Sequence, residues 1–423
     1  MFAQKDRLGL GGAAPALAAD DPRAYAPAMV CRWVLLPLLA LAACSSPDPL
    51  PGGGDGGSSS TGGGSEATGS SAQSTGAAEG SAEGGSDESG DTTGSTSDAS
   101  SSSGSTTGMP IVCEPVPSCD VALPDPGPTV DWERLESSAV VLSGGPRHRG
   151  RDMFYNPDDV HWAMAKFAYG PTDWDLSGER IDAYLLRNCE GDWQLLGSAL
   201  TTFDGDHATV EGVEDSGGWV FLQMPQALPL GRHRIHWVVR GDDTRADTYI
   251  EVVDPGTPII LSDVDGTLTT GEWERLVDYL LSTIPDVNEG APEALTALVE
   301  LGYRPMYLTA RPEFLGRRTY QFIEERGLPP GIIHTSLSAT GALGSAAVEL
   351  KSGELAALAQ RGLVPSWVFG NSSSDAEAYE NAGIQPVEQR VFFQYEDTAF
   401  GGRTIQSYTE LVPEFEGLDP VCE

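Results

Sequence analysis

Pro258-Ile259-Ile260-Leu261-Ser262-Asp263-Val264-Asp265-Gly266-Thr267-Leu268-Thr269 decides the fold of this chain of 423 residues. Its four leading apolar residues show no polar alternation. They read as a strand buried on both faces, the texture of a parallel sheet covered by helices. Two further apolar strands, Met306-Tyr307-Leu308 and Trp367-Val368-Phe369, precede helices expected over 313–326 and 375–382. Helical periodicity also runs through Leu276, Tyr279, Leu280 and Ile284, and through Ala294, Leu295, Leu298 and Leu301. Strands alternating with helices give a parallel sheet with helices on both faces. In such sheets the ligand site lies beyond the carboxyl ends of the strands.

Chemistry-bearing residues come after each strand. The first leads into Asp263 and Asp265, the second into Thr309-Ala310-Arg311-Pro312, and the third into Gly370-Asn371-Ser372-Ser373-Ser374-Asp375. Lys351 lies on the segment between the second and third. Carboxylates gathered this closely repel one another unless a cation sits among them. A hard cation, most simply Mg2+, is expected on Asp263, the main-chain carbonyl of Asp265, and Asp375. It would orient a phosphate for attack by Asp263, giving an aspartyl-phosphate, with Asp265 as general acid and then base. Thr309 and Lys351 would stabilise the phosphoryl oxygens. Gly266, Thr309, Ala310, Lys351 and Asn371 are the candidate phosphate contacts, Gly266 because it lets the chain turn tightly. Arg311 either orients the phosphate or pairs with a sheet-end carboxylate.

Asp-x-Asp alone is common in surface loops. Asp-x-Asp-Gly-Thr, then Thr, then Lys, then Gly-Asn-x3-Asp, in register with a parallel sheet, resembles the haloacid dehalogenase superfamily. Within it, the stretches Asp263–Thr269, Leu308–Pro312, Arg326-Gly327-Leu328-Pro329-Pro330-Gly331 and Gly370–Tyr379 look like the catalytic domain of lipins and the carboxy-terminal domain of phosphatidylinositol-transfer proteins, over residues 258–416. The resemblance implies a Rossmann-like sheet, Mg2+, and a phosphatidate-like substrate. It also implies a neighbouring immunoglobulin-like domain. Transfer-protein versions lack the first Asp and only bind lipid; this chain keeps Asp263. Lipins reach anionic membranes through basic and amphipathic segments, and neither is found here. The short segment between Asp265 and Thr309 leaves no room for a large cap domain.

Upstream, residues 130–254 read as short strands with turns at Gly144-Gly145-Pro146, Asp204-Gly205-Asp206 and Gly241-Asp242-Asp243. Without a convincing helix, they are expected to form an antiparallel, immunoglobulin-like sandwich. Trp132, Trp162, Trp193, Trp219 and Trp237 are expected in its core or rim. His148-Arg149-Gly150-Arg151-Asp152 reads as a ligand loop or a structural turn. His233 and His236, three apart in a strand, face opposite sides and should not share a metal.

Residues 1–44 read as an export signal, with an apolar run from Trp33 to Ala43 and Leu41-Ala42-Ala43-Cys44 similar to a bacterial lipobox, so that Cys44 would carry lipid. Met29 reads as the start of translation. Residues 45–110, rich in Ser and Gly and free of Lys, Arg and aromatic residues, read as a disordered acidic tether with a root-mean-square reach of roughly 40–50 Å. The expected location is a periplasmic or cell-surface membrane. Cys113, Cys119, Cys189 and Cys422 then suit disulfides in any of three pairings; closure of Cys113 on Cys119 would leave Cys189 for Cys422. A net charge of −37 argues against a nucleic-acid partner. The expected function is phosphomonoester hydrolysis. The alternatives are a lipid-binding module without turnover and a surface adhesion lipoprotein.

Overall fold

The computed structural model describes residues 111–271, 284–397 and 399–422. The export signal, Cys44, the tether and the periodicity through Leu276, Tyr279 and Leu280 lie outside the described residues. Among the described residues, no helix is long and apolar enough to cross a membrane.

The first folded part is a β-sandwich. It opens with a six-residue helix, α1 (Ser137–Leu142), where the sequence suggested none. Its strands are β1 (Arg149–Arg151), β2 (Met153–Tyr155), β3 (Trp162–Lys166), β4 (Ala168–Tyr169), β5 (Trp174–Asp175), β6 (Arg180–Leu186), β7 (Gln194–Leu200), β8 (Trp219–Gln223), β9 (Gly231–Val239) and β10 (Arg245–Val252). One sheet runs β1-β3-β8, and a second runs β2-β10-β9-β6-β7. Met164, Phe167, Ile181, Leu185, Ile235, Trp237 and Ile250 fill the core between them. Trp219 and Trp237 are buried, and Trp132 and Trp162 pack on the same core. Trp193 packs instead on Cys119 and Cys189. One pair departs from the antiparallel expectation, because β2 runs parallel to β10. The run 148–152 is likewise not a loop. It is strand β1 and then a crossing at Asp152, where the chain passes from one sheet into the other.

The second part is a six-stranded, all-parallel sheet. It contains β11 (Ile259–Ser262), α2 (Ala291–Glu300), β12 (Arg304–Pro312), α3 (Gly316–Glu325), β13 (Ile332–Ser336), α4 (Ser345–Gln360), β14 (Pro365–Gly370), α5 (Ser373–Asn381), β15 (Arg390–Phe393), β16 (Arg403–Ile405) and α6 (Val412–Phe415). The strand order is β13-β12-β11-β14-β15-β16. β11 alternates between two cores: Ile260 packs with α2 and Phe322 of α3 on one face. Ile259 and Leu261 pack with Leu355 and Leu358 of α4 and Tyr379 of α5 on the other. The connectivity reverses direction between β11 and β14, which is the switch point where doubly wound sheets open a crevice at their carboxyl ends.

The segment 111–128 contains no helix or strand and ties the parts together. Its Cys113 is bonded to Cys422, Val116 packs into the core of the parallel sheet, and Cys119 is bonded to Cys189 of the sandwich. The Cys113–Cys119 closure considered from sequence therefore does not occur. An extended chain can carry two residues six apart by up to about 20 Å, enough to reach separate destinations.

Candidate active site

Asp263 is placed at the switch point because β11 has nothing polar to interrupt it. Its backbone N–H extends the ladder, donating to the Phe369 carbonyl of β14 at 3.0 Å. Gly266 then turns the loop with φ +76°, and a Cβ there would lie 2.2 Å from the Asn371 amide nitrogen. Only glycine lets these two loops close on each other. Thr267 Oγ1 lies 2.9 Å from Asp263 Oδ2 and 3.0 Å from Asn371 Oδ1, joining the first loop to the last.

Asp375 arrives from the start of α5. There it forms a capping box with Ser372 and accepts the backbone N–H groups of Asn371 and Ser372 at 3.1 and 3.0 Å. These are amides that a helix start leaves without intrahelical partners. The same carboxylate turns its other oxygen to Lys351 of α4. Lys351 Nζ also donates to Asp263 Oδ1 at 2.8 Å. One ammonium therefore serves two carboxylates, and all three side chains are at most 6% exposed.

The charges at this point do not balance. Burial pushes the Asp263 carboxyl up to about 7; Lys351 opposes that shift, while Asp375 and Asp265 reinforce it. Burial alone would lower Lys351, but the two carboxylates reverse this and hold it protonated.

Asp265, two residues on, is balanced. Arg311 grips it through Nε, 3.0 and 2.9 Å from its two oxygens, and through Nη2 at 2.7 Å. The Thr309 hydroxyl adds a bond of 2.9 Å to Oδ2. Of the two roles weighed for Arg311, pairing with a sheet-end carboxylate is the one observed. Thr309, expected on a phosphoryl oxygen, donates to Asp265 instead. Ala310 sits half-buried beside it at the end of β12, its carbonyl accepting the Ala342 N–H at 2.9 Å.

The structure thus brings Asp263, Lys351 and Asp375 together with Gly266 and Asn371, and keeps Asp265, Thr309 and Arg311 as an adjoining group. Among the described residues no cluster of three or more His, Cys, Asp or Glu is arranged to hold a metal ion. The donor set around Lys351 is nevertheless all oxygen and carries one uncompensated negative charge, which fits a hard divalent cation. Sequence reasoning did not single out Thr267. Its place in the loop just after Asp263 is the signal that pointed to it. His233 and His236 do not meet: His233 lies 2.8 Å from the Pro229 carbonyl, and His236 lies 2.8 Å from Asp247.

Residues 260–393 match the family model for the LNS2 domain of PITM 1-3, and residues 146–252 match that for the PITM 1-3 beta-sandwich domain. Both folded parts resemble those of PITM 1-3. The chain is 26% identical over 262 residues to Drosophila melanogaster protein retinal degeneration B, covering 61% of this chain and 19% of that protein. It is 27% identical over 210 residues to human membrane-associated phosphatidylinositol transfer protein 2, covering 49% and 14%. To mouse membrane-associated phosphatidylinositol transfer protein 3 it is 25% identical over 218 residues, covering 51% and 20%. The chain spans a fifth or less of the length of these relatives. The likeness therefore falls on the transfer-protein side of the resemblance seen in the motifs.

Proposed function

We propose that the chain is a metal-dependent phosphatase of the haloacid dehalogenase type that hydrolyses a lipid phosphomonoester, such as phosphatidate, through Asp263. The observation that carries this reading is the Asp263–Lys351–Asp375 cluster at the sheet's switch point, buried and short of one positive charge. A scaffold built for stability would pair those charges or omit them, because unbalanced buried charge is costly. Perturbed titratable groups in such a place mark a functional site.

Bound by Asp263, the Asp265 carbonyl and Asp375, Mg2+ would supply charge neutralisation for a phosphoryl group. Asp263 attacks phosphorus with one carboxylate oxygen, the bond to the leaving alcohol breaks, and an aspartyl-phosphate forms. Asp265, released from one of its Arg311 bonds and having taken up a proton from solvent, would pass that proton to the leaving oxygen and then take one back from the water that hydrolyses the intermediate. Lys351 stays an ammonium and balances the charge on the equatorial oxygens. Thr309, freed from Asp265 in the same motion, turns its hydroxyl to a phosphoryl oxygen. The sandwich is the counterpart of the immunoglobulin-like domain that lipins pair with this one.

The lipid assignment draws support from relatives whose names describe phosphatidylinositol transfer. The two disulfides support an exported protein, since such bonds persist outside reducing compartments. Cys44 and the tether, as read from sequence, would then hold the domain near a membrane surface.

A second reading, a lipid-binding module without turnover, is favoured by the transfer-protein relatives and by the full engagement of both Asp265 oxygens. The two are separated by phosphate release from mixed micelles of phosphatidate and from p-nitrophenyl phosphate, with Mg2+ or with EDTA. Metal-dependent release, faster from the lipid, is expected. Liposome binding with no release at any Mg2+ concentration would establish the second reading instead.

A further inference from the structure

Strand β1 belongs to the sandwich, yet its two arginines reach into the parallel sheet. Arg149 and Arg151 are two apart and so point the same way, while Gly150 between them is pressed onto β10. A Cβ at Gly150 would fall 2.0 Å from the Asp247 carbonyl oxygen. Arg151 Nη2 donates to Glu354 Oε1 at 2.5 Å, and its Nη1 to the Thr335 carbonyl at 3.3 Å. Arg149 Nη2 donates to Glu313 Oε1 at 2.6 Å, while the same guanidinium also holds Asp173. These side chains are 4–15% exposed in the pairs with Glu313 and Glu354, so solvent does little to screen them.

The partners lie on the two elements that carry candidate catalytic groups. Glu354 is three residues beyond Lys351 on α4, hence on a neighbouring part of the same helix face. Glu313 is two residues beyond Arg311, where β12 ends. Glu354 is held in turn by His334, whose Nδ1 lies 2.7 Å from Oε2 and whose Nε2 lies 2.6 Å from the Asp152 carbonyl. Asp152 completes the crossing, accepting the N–H of Tyr249 from the sandwich at 2.7 Å and that of Ile333 from the sheet at 3.0 Å.

We propose that Arg151 is a positioning residue, which through Glu354 sets the rotation of α4 that places Lys351 between Asp263 and Asp375. Arg149 does the same for the end of β12 through Glu313. The sandwich is then part of the machinery, and the deletion of its strands would cost the site its geometry. The consequence for catalysis rests on the phosphatase reading; the placement of Lys351 does not.

The chain's composition supplies a clean probe, because it contains three lysines only, Lys5, Lys166 and Lys351. Amine labelling of the full chain by reductive methylation, read lysine by lysine by mass spectrometry, reports the Lys351 environment without reference to activity. Buried between two carboxylates, Lys351 should label slowest in the wild type. In Arg151→Met its labelling should accelerate by about tenfold or more, with an intermediate value in Arg151→Lys, which keeps the charge but not the fork. Arg361→Gln is the control. It breaks contacts with Glu211 and Asp159 of the sandwich, at 2.6 and 3.2 Å, at the far end of the same helix. It should cost comparable stability and leave Lys351 protected.

In the phosphatase assay, Arg151→Met should lower kcat on the order of 10- to 100-fold with KM little changed, as expected when a group is displaced by a fraction of an ångström. Equal labelling of Lys351 in the Arg151→Met and Arg361→Gln proteins would overturn the proposal, as would unchanged protection in both. A wild type that releases no phosphate would sink the phosphatase reading, while the labelling would still decide the role of Arg151.

Discussion

Asp263 and Asp265 leave the same loop two residues apart and meet opposite electrostatic fates. Asp265 receives a whole guanidinium to itself, bound through two nitrogens, with a hydroxyl in addition. Asp263 must share one ammonium with Asp375, and burial pushes its carboxyl up to about 7. In the proposed mechanism this difference is what sets the attacking carboxylate apart from its neighbour. Bidentate arginine pairing satisfies a carboxylate and fixes it, whereas shared lysine pairing leaves charge that the proposed cation and substrate would complete.

The largest expected effect is on turnover. Asp263→Asn keeps the size of the side chain and removes the proposed nucleophile, so phosphate release should fall on the order of 10³-fold or more. Circular dichroism and thermal melting should show the fold intact. Full activity in that protein would erase the distinction between the two carboxylates, and with it the proposed mechanism.

Arg311 tests the other side of the comparison. Arg311→Met removes the partner of Asp265 and leaves a carboxylate uncompensated in a side chain 12% exposed. Breaking one half of such a pair costs on the order of 3–5 kcal/mol, to be read as a drop in the urea midpoint. Arg311→Lys should cost less, since an ammonium keeps the charge but cannot reproduce the forked N–H contacts. A loss below about 1 kcal/mol in Arg311→Met would mean that Asp265 is solvated rather than braced.

Much of this centre was legible in the sequence because strands buried on both faces leave unbroken apolar runs, and the residues just beyond such a run stand at the sheet's carboxyl edge. Asp263, Thr309 and Asn371 are found that way. The helix carrying Lys351 is harder to see. α4 is composed of helix formers, yet its alanines and leucines surround the axis and Gly353 interrupts it, so no stripe announces its buried face. β13, β15 and β16 are short and carry polar residues, and nothing periodic distinguishes them from loop. Arg149 and Arg151 drew notice only as a local run, since their partners Glu313 and Glu354 lie 164 and 203 residues further on. The disulfides had the same difficulty: spacing favours a local closure, while the path of 111–128 decides the matter in space.

The smallest expected effect sharpens the comparison most, because it requires no substrate. A carboxyl raised from 3.8 to about 7 in the folded protein binds its proton more tightly there than in the unfolded chain. Its contribution therefore favours folding below about pH 4 and is lost as pH rises toward 7, the reverse of an ordinary ion-paired carboxylate. Asp263→Asn removes that loss. In EDTA, the variant should lie close to the wild type near pH 4 and exceed it at pH 8 by up to about 4 kcal/mol in urea unfolding. Mg2+ should then narrow the gap at pH 8 by stabilising the wild type, since an ion that binds only the folded state adds its binding free energy to folding. A variant less stable than the wild type at pH 8 would mean that Lys351 balances Asp263 as fully as Arg311 balances Asp265. The asymmetry on which the choice of nucleophile rests would then be gone.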